Sequence, residues 1–306
     1  MARYFKFRSP ADLVTEAARL GETLDVTEDL SSLFTPLQIG GLTAAGRLVV
    51  QPMEGCDGTT EGFPDELTYR RYQRFGAGGA PVIWGEATAI AGNARMNPRQ
   101  LWLNDRTASA IEQMLADCRE AHRERFGGDG PIIGLQLTHS GRFSFQKPLL
   151  AVHDPILDPL TRDKKTGRTV DDSCPLLSDS ELEAIEDQYI VAARLAAKIG
   201  VDFVDIKQCH RYLLSELLAA RDRPGPYGGS LENRTRLVRN VVTRIRSELP
   251  DLLIASRLNA CDGIPYRKPA GRESAGEPLP GEPCSHELPL SAAFGTNPAD
   301  HLQEDL

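Results

Sequence analysis

Five short apolar runs, separated by segments with helical periodicity, constrain the fold of this chain more than any other feature of its sequence. Apolar runs of this length predict buried strands, and apolar residues that recur every third or fourth position predict helices. Strands that alternate with helices are typical of a parallel sheet. We therefore predict an α/β fold. Its predicted strands are residues 48–51, 81–84, 132–137, 203–206 and 252–258.

The number of strands predicts the architecture. A parallel α/β barrel contains eight strands, and its closure removes the edges of the sheet. The chain has 306 residues, but proline, glycine and charged residues alternate after Gly263 and predict no sixth strand. Either these residues form a long loop with no further barrel strand after it, or the chain ends before the barrel is complete. We favour the second reading, an incomplete (β/α)8 TIM barrel with about five of the eight β/α units.

The N-terminal residues predict a cap on this barrel. Ser9-Pro10 begins a helix that ends at Gly21, because serine is a favoured N-cap and proline a favoured first helical residue. Residues 33–42 predict a short hairpin over the N-terminal end of the barrel. The predicted organisation is a helical extension at 1–32, a partial barrel at 33–264 and an irregular Pro/Gly-rich end at 265–306.

Charge and cysteine content exclude several classes of protein. The chain has 35 basic and 43 acidic residues, a net charge of −8, and both signs are spread along it, which argues against a nucleic-acid surface. No apolar run is long enough for a signal peptide or a membrane span, so we expect a cytoplasmic protein. The six cysteines form no CxxC pair, which favours reduced thiols and gives no support for a metal site.

The fourth predicted strand is followed by the densest set of reactive side chains. Four of the next six residues are chemically capable, namely Lys207, Cys209, His210 and Tyr212. Every strand of a parallel barrel delivers its last residues to the same face, where the active sites of such barrels lie. We therefore expect catalysis at this end of the strand. For Cys209, packing is the favoured reading.

Polar residues also stand at the ends of the other predicted strands. A long segment, residues 143–177, follows the third strand, and insertions of that length usually lie over an active site. The further candidates are Pro52, Met53, Glu54 and Cys56 after the first strand, Glu86 and Ala87 after the second, Gln136, His139 and Arg142 at the third, and Arg257 near the end of the fifth.

In combination, these motifs resemble those of the old yellow enzyme family, the FMN-dependent NAD(P)H:flavin oxidoreductases. The resemblance covers residues 33–266, and its specificity comes from several segments that follow one another in the family's order. The segments are Pro52-Met53, Glu86-Ala87, Gln136 to Arg142 (QLTHSGR), Cys209 to Leu213 (CHRYL), Tyr227 to Arg234 (YGGSLENR) and Arg257.

The resemblance implies FMN and NAD(P)H as cofactors. Pro52, Met53 and Ala87 would border the flavin ring. Gln136 would bind the pyrimidine edge of the ring, because a carboxamide supplies both a donor and an acceptor. Arg257 would lie near flavin N1, where a guanidinium stabilises the negative charge that reduction places there.

The resemblance also implies a small-molecule substrate, an electron-poor conjugated alkene or a related compound that receives hydride from flavin N5. His210 would hydrogen-bond the carbonyl oxygen of the substrate, and Tyr212 would donate a proton to the adjacent carbon. Lys207 stands where the family commonly has His or Asn beside that oxygen, and it would be a stronger electrophile. No nucleic-acid or membrane partner is expected, and self-association into a homo-oligomer stays open.

Two other functions stay open. The last three strands of the family's barrel supply the FMN phosphate site, so a chain that stops in mid-barrel would be a non-catalytic fragment. Alternatively, Lys207 forms a Schiff base in a lyase. Such a lysine must be desolvated or lie near another cation, and only Arg211 is close to it in sequence.

Several residues keep both a functional and a structural reading, and the sequence does not choose between the two. For Lys207 the choices are substrate binding and an ion pair with Asp205 or Glu216. For Arg257 they are flavin binding and a structural carboxylate partner. For Glu54 and Glu86 they are acid–base catalysis and surface positions, and for His139 and Arg142 they are substrate contact and loop anchoring.

Overall fold

The computed structural model describes residues 7–259, 266–267 and 282–283. The predicted irregular segment 265–306 lies outside the described residues apart from its two short strands, which pair antiparallel. In chain order the elements are α1 (Pro10–Arg19), β1 (Leu37–Ile39), β2 (Leu42–Ala44), β3 (Val49–Val50), α2 (Glu66–Ala77), β4 (Val82–Ala89), α3 (Ala108–Phe126), β5 (Ile132–Thr138), α4 (Asp179–Lys198), β6 (Phe203–Ile206), α5 (Leu213–Leu218), α6 (Leu231–Arg234), α7 (Arg236–Glu248), β7 (Leu253–Ala255), β8 (Tyr266–Arg267) and β9 (Glu282–Pro283).

Five parallel strands form the central sheet, in the order β3-β4-β5-β6-β7. Their order in the sheet is their order in the chain, and helices lie between successive strands, as in a (β/α)8 barrel. One level of the register runs through Ala87, Gln136, Asp205 and Ala255. The predicted parallel α/β fold and its five strands are confirmed, and the described residues have the architecture of part of such a barrel.

The hairpin of β1 and β2 covers the start of the sheet. Ala44 of β2 is buried in an apolar cluster with Val82, Ile132 and Phe203. These three are the first residues of β4, β5 and β6, so the hairpin lies across the N-terminal ends of the strands. The predicted hairpin cap is confirmed.

The helices begin and end largely where the sequence places them. Ser9 caps α1 by accepting the Asp12 backbone N–H, and Ser178 caps α4 in the same way through Glu181. No residue of α1 is buried, whereas α4 buries a continuous apolar face that includes Tyr189. Among the described helices, none combines the length and the apolar character needed to cross a lipid bilayer.

Three elements differ from the prediction. Strand β7 ends at Ala255, three residues before its predicted end at position 258, so Arg257 lies beyond the strand. Strand β4 continues to Ala89, five residues beyond its predicted end at position 84. The predicted strand is too short because the charge of Glu86 interrupts the apolar run. The structure buries Glu86 beside charged partners that are distant in sequence. Helix α5, directly after Tyr212, was not predicted. All six of its residues are buried, including Glu216, so its sequence shows no apolar and polar face from which a helical period could be recognised.

Helices α2 and α3 approach each other most closely at Gly76. A Cβ at this position would lie 1.9 Å from the carbonyl oxygen of Cys118. Because that oxygen belongs to the backbone of α3, it cannot move aside without displacing the helix. Glycine at position 76 therefore sets the distance between the two helices.

We expect Gly76→Ala to lower the free energy of unfolding by about 2 kcal/mol or more, because overpacking outweighs the gain of about 1 kcal/mol in helix propensity. Urea unfolding followed by circular dichroism measures the change. Gly41→Ala is the control, since a Cβ at Gly41 meets no atom within 4 Å. Equal stabilities of the two variants would contradict the packing argument.

Candidate functional site

The C-terminal ends of the five parallel strands bring the predicted site residues to one edge of the sheet. Gln136 lies within β5, level with Ala87 of β4 on one side and Asp205 of β6 on the other. Lys207 follows β6 directly, and Arg257 lies two residues beyond the end of β7. The structure therefore gathers residues that are up to about two hundred positions apart in the sequence at one face of the fold.

Asp205 connects three of these strand ends. Its carboxylate accepts hydrogen bonds from Trp84 Nε1 at 2.8 Å, from Gln136 Nε2 at 2.5 Å and from the Arg257 backbone N–H at 2.8 Å. The residue is fully buried, and a buried carboxylate is tolerated only when it has such partners. From its sequence position, Asp205 was predicted only as a candidate ion-pair partner of Lys207. An acidic residue inside an apolar strand was the available signal.

Gln136 and Arg257 each retain an unused polar atom. Within the described part of the chain, Gln136 Oε1 and Arg257 Nη1 are buried without a hydrogen-bond partner. An unpaired buried acceptor and an unpaired buried donor each carry a free-energy cost that a ligand can relieve. A ligand that offers an N–H to Gln136 and an electron-rich atom to Arg257 would satisfy both atoms, and the edge of a flavin ring has both groups.

The other predicted flavin-bordering residues differ in exposure. Pro52 and Ala87 are buried, whereas Met53 is 67% exposed. The carbonyl oxygen of Ala87 already accepts a hydrogen bond from Gln100 Nε2 at 2.9 Å. Ala87 can therefore offer a ring its methyl group and its backbone surface, but that oxygen is occupied.

Lys207, His210 and Tyr212 lie together beside the strand ends. Lys207 Nζ is 4.0 Å from the centroid of the Tyr212 ring, and the His210 and Tyr212 ring centroids are 6.0 Å apart with the rings nearly perpendicular. Lys207 and Tyr212 are buried, whereas His210 is exposed. The cluster therefore opens toward solvent at His210.

The structure does not place Lys207 in an ion pair with Asp205 or Glu216. Glu216 binds Arg142, with 2.8 Å between its Oε1 and Arg142 Nη2, and Asp205 is occupied as described above. In the described ranges, no salt bridge includes Lys207. The structural reading of this lysine is wrong.

The backbone is strained next to the same cluster. Of the non-glycine residues in the described ranges, only Cys56, His210 and Arg211 have positive φ, at 50°, 62° and 53°. Left-handed backbone costs about 1–2 kcal/mol for such residues. Strain of this kind concentrates at functional sites, and here it follows β3 and β6, the two strands that lead into the candidate site.

Glu86 is not a surface carboxylate. It is buried, lies 2.6 Å from Arg71 Nη2 and accepts the Gly55 backbone N–H at 3.0 Å. Arg71 also binds Asp57 at 2.8 Å, so one guanidinium links the segment after β3 to β4. This ion-pair network was not predicted.

Glu54 is half-buried and faces the cluster. Burial and the nearby charge of Glu86 raise its pKa to about 7, although Lys207 opposes the shift. The same burial, with Glu54 beside it, raises the pKa of Cys56 to about 11, which makes that thiol a poor nucleophile at neutral pH. The reading of Glu54 and Glu86 as two surface carboxylates is therefore wrong.

Arg142 anchors the long loop after β5. Its guanidinium is buried and binds Asp158 at 2.7 Å, Glu216 at 2.8 Å and the Val152 carbonyl oxygen at 2.9 Å. His139 is also buried, and burial lowers its pKa to about 4, so the imidazole is neutral at physiological pH. For Arg142 the structure supports loop anchoring.

One group of side chains outside the strand ends has metal-ligand spacing. The ligand atoms of His153, Asp158 and Asp172 lie within 4.8 Å of one another. Both oxygens of Asp158 already have protein partners, Arg142 Nη1 and His153 Nδ1, each at 2.7 Å.

A separate cavity of about 320 Å³ lies between the long loop after β5 and the start of α4. None of the predicted site residues lines it.

Because its pKa is raised in the folded state, Glu54 should make stability depend on pH. Its stabilising contribution is complete below its ordinary pKa of 4.5 and is lost as pH rises to about 7. Relative to Glu54→Gln, the wild-type free energy of unfolding should therefore fall by on the order of 2 to 3 kcal/mol across that window. Urea unfolding at each pH measures it, with Glu112→Gln, an exposed carboxylate of α3, as the control. A constant difference would contradict the burial of Glu54.

Comparison with known proteins adds independent support. Residues 32–268 match the profile of the NADH:flavin oxidoreductase / NADH oxidase family. An NADH:flavin oxidoreductase of Gibberella zeae is 28% identical over 256 residues, which cover 78% of this chain and 59% of that protein. An NADPH dehydrogenase of Halalkalibacterium halodurans is 28% identical, with 70% of this chain and 60% of that protein covered.

Solved structures agree with this assignment. The Old Yellow Enzyme from Pichia sp. has the same fold, with a TM-score of 0.66 at 22% identity over 76% of this chain and 60% of that one. Morphinone reductase has a TM-score of 0.61 at 25% identity, over 74% of this chain and 62% of that one. The chain thus spans about three-fifths of the length of these relatives. By profile and fold together, it belongs to the NADH:flavin oxidoreductase / NADH oxidase family, as its motifs indicated.

Proposed function

We propose that this chain contains the residues that bind the flavin ring in an FMN-dependent NAD(P)H oxidoreductase. The enzyme would reduce electron-poor conjugated alkenes. The observation that carries the proposal is that, among the described residues, Gln136 Oε1 and Arg257 Nη1 are each buried without a hydrogen-bond partner. Asp205 holds the Gln136 side chain through Nε2 and the Arg257 backbone through its N–H, so Gln136 Oε1 is oriented before any ligand arrives. Preorganised donors and acceptors of this kind are what a cofactor site requires.

The residues around this pair define how a flavin would be held. Gln136 would orient the pyrimidine edge, because its Nε2 is committed to Asp205 and its Oε1 is free to accept an N–H. Arg257 would stabilise negative charge on that edge. Pro52 and Ala87 supply apolar surface. When bound, FMN would accept hydride from NAD(P)H and deliver it to the substrate.

Lys207, His210 and Tyr212 would bind and protonate the substrate. Partial burial of its ring, with Lys207 and Arg257 nearby, lowers the pKa of His210, so at neutral pH the neutral imidazole donates one N–H to the substrate oxygen. Burial, with Glu54 and Cys56 nearby, raises the pKa of Tyr212 and keeps its phenol protonated. A phenol that retains its proton can serve as general acid at the carbon next to the polarised group.

The alternative is a non-catalytic barrel fragment. It is favoured by the described sheet, whose two outer strands, β3 and β7, do not pair with each other. The two functions differ in one measurable property, the affinity for FMN.

We expect the purified chain to bind FMN and to lose affinity when the two polar contacts are removed. Gln136→Ala should weaken binding about tenfold and Arg257→Met about 10- to 100-fold, the usual cost of a neutral and of a charge-assisted hydrogen bond. Quenching of flavin fluorescence measures the dissociation constant. Gln113→Ala on α3 and Arg246→Met on α7, which change exposed residues, are the matched controls.

Two outcomes would count against the proposal. A folded chain that does not bind FMN would support the fragment. Binding that is unaffected by Gln136→Ala and Arg257→Met would place the flavin elsewhere.

Tyr212→Phe tests the proton donor in the loaded protein. We expect the rate of reduction of a small conjugated enone to fall about 100-fold, because general acid catalysis contributes that much. Reduction of the bound flavin by NADPH should stay at the wild-type rate, since that step needs no proton from Tyr212. Stopped-flow absorbance separates the two half-reactions. Tyr69→Phe, which removes a hydroxyl bonded to the Ala110 carbonyl far from the strand ends, is the control. Equal loss in both variants would refute the assignment.

A further inference from the structure

Lys207 carries a buried amine that has no counter-ion among the described residues. Only 3% of the residue is exposed, and its Nζ lies over the Tyr212 ring at 4.0 Å from the centroid. Within the described part of the chain, no carboxylate lies within ion-pair distance of it and no hydrogen bond of its side chain is present. Buried ammonium groups are normally paired, because desolvation of an unpaired charge is costly. The neutral amine escapes this cost.

The fold also places a second cation beside Lys207. Asp205 is level with Ala255, and Gln208 is level with Leu258, so the register continues past the end of β7 and puts Lys207 beside Arg257. Adjacent strands are about 4.8 Å apart. The cation that is near in sequence, Arg211, binds Asp154 at 3.1 Å instead. A lysine becomes nucleophilic when it is desolvated or lies near another cation, and Lys207 meets both conditions.

The charged groups that face Lys207 come from three elements. From β6 and the segment after it, the carboxylate of Asp205 and the thiol of Cys209 favour the charged amine. From the segment after β3, Glu54 does so too. Arg257, from the segment after β7, opposes them. Burial is the largest effect, and the balance lowers the pKa of Lys207.

Asp205 and Glu54 stabilise the ammonium form of Lys207 less than two free carboxylates would. Asp205 is engaged by its three donors, and the raised pKa of Glu54 leaves that group partly neutral at pH 7. His210 and Tyr212 add no negative charge at neutral pH. The amine of Lys207 thus has a larger uncharged fraction than an exposed lysine has.

We propose that Lys207 is a nucleophilic amine that forms a Schiff base with small aldehydes or ketones. The proposal goes beyond flavin chemistry and holds whether or not FMN is bound. It uses the uncharged amine, whereas hydrogen bonding to a substrate oxygen uses the ammonium form of the same nitrogen.

The chemistry needs no reagent beyond the carbonyl compound. The nitrogen lone pair forms a bond to the carbonyl carbon, and the carbonyl oxygen takes up a proton as its π bond breaks. The nitrogen then releases a proton, the hydroxyl oxygen takes up a second proton, and the carbon–oxygen bond breaks, so that one water leaves and a protonated C=N bond remains. Glu54 is suited to move these protons, because a carboxyl group with a pKa of about 7 both donates and accepts near neutral pH.

Reductive trapping tests the proposal. The purified chain is treated with acetaldehyde and sodium cyanoborohydride near neutral pH, with and without FMN, and the ethylated lysines are located by peptide mass spectrometry. We expect Lys207 to be labelled several-fold faster than the exposed lysines, since it has the larger fraction of free amine. The internal references are Lys147, Lys164, Lys165 and Lys198.

Two variants separate nucleophilicity from structure. Arg257→Gln removes the neighbouring cation, so the labelling of Lys207 should shift to higher pH, whereas Arg246→Gln on the exposed face of α7 should leave its pH profile unchanged. Lys207→Arg keeps the charge and should abolish the label at this peptide, with circular dichroism confirming the fold.

Labelling of Lys207 no faster than that of Lys198, at every pH, would overturn the proposal. FMN binding is measured on the same preparation. If FMN binds and Lys207 is not labelled, the flavin function stands and the Schiff-base inference fails. If Lys207 is labelled and FMN does not bind, the reverse holds.

Discussion

The candidate site depends on one buried carboxylate. Asp205 accepts hydrogen bonds from Trp84 on β4, from Gln136 on β5 and from the backbone N–H of Arg257 after β7. It therefore connects β6 to elements on both sides and fixes the direction of the Trp84 and Gln136 side chains. Because a buried carboxylate must be satisfied by donors, the arrangement is rigid where a ligand would need rigidity. Because Gln136 Nε2 is bonded to Asp205, Gln136 Oε1 is the part of the carboxamide that is left for a ligand.

Two further ionic networks hold the segments around the site. Arg71 joins Glu86 to Asp57 and so connects β4 to the segment after β3. Arg142 joins Glu216 of α5 to Asp158 in the long loop. Buried ion pairs contribute little net stability, but removal of one partner is costly because an unpaired charge remains. Their effect here is to fix the segments in one position. Lys207, which has no such partner in the described ranges, is the exception, and its chemistry follows from that exception.

Patterns local in sequence predicted the elements well and their limits less well. The apolar runs predicted all five strands of the sheet, and Ser9 and Ser178 correctly predicted the starts of α1 and α4. Strand β4 was predicted too short because Glu86 interrupts its apolar run, and α5 was missed because all of its residues are buried. Both errors have one cause. Each element contains a buried glutamate, Glu86 in β4 and Glu216 in α5, whose ion-pair partner is distant in sequence. A charged residue is expected to be exposed unless that partner is known.

The sequence by itself determined the parallel α/β order, the hairpin cap and the set of polar residues at the strand ends, since strands, caps and helical faces are encoded by neighbouring residues. Only the tertiary structure decided which polar groups are paired. In the structure Glu216 pairs with Arg142, and Arg211 pairs with Asp154. Lys207 has no carboxylate partner among the described residues and lies beside Arg257. Charge and pKa depend on distances between strands, and strand register is fixed only when the whole sheet assembles.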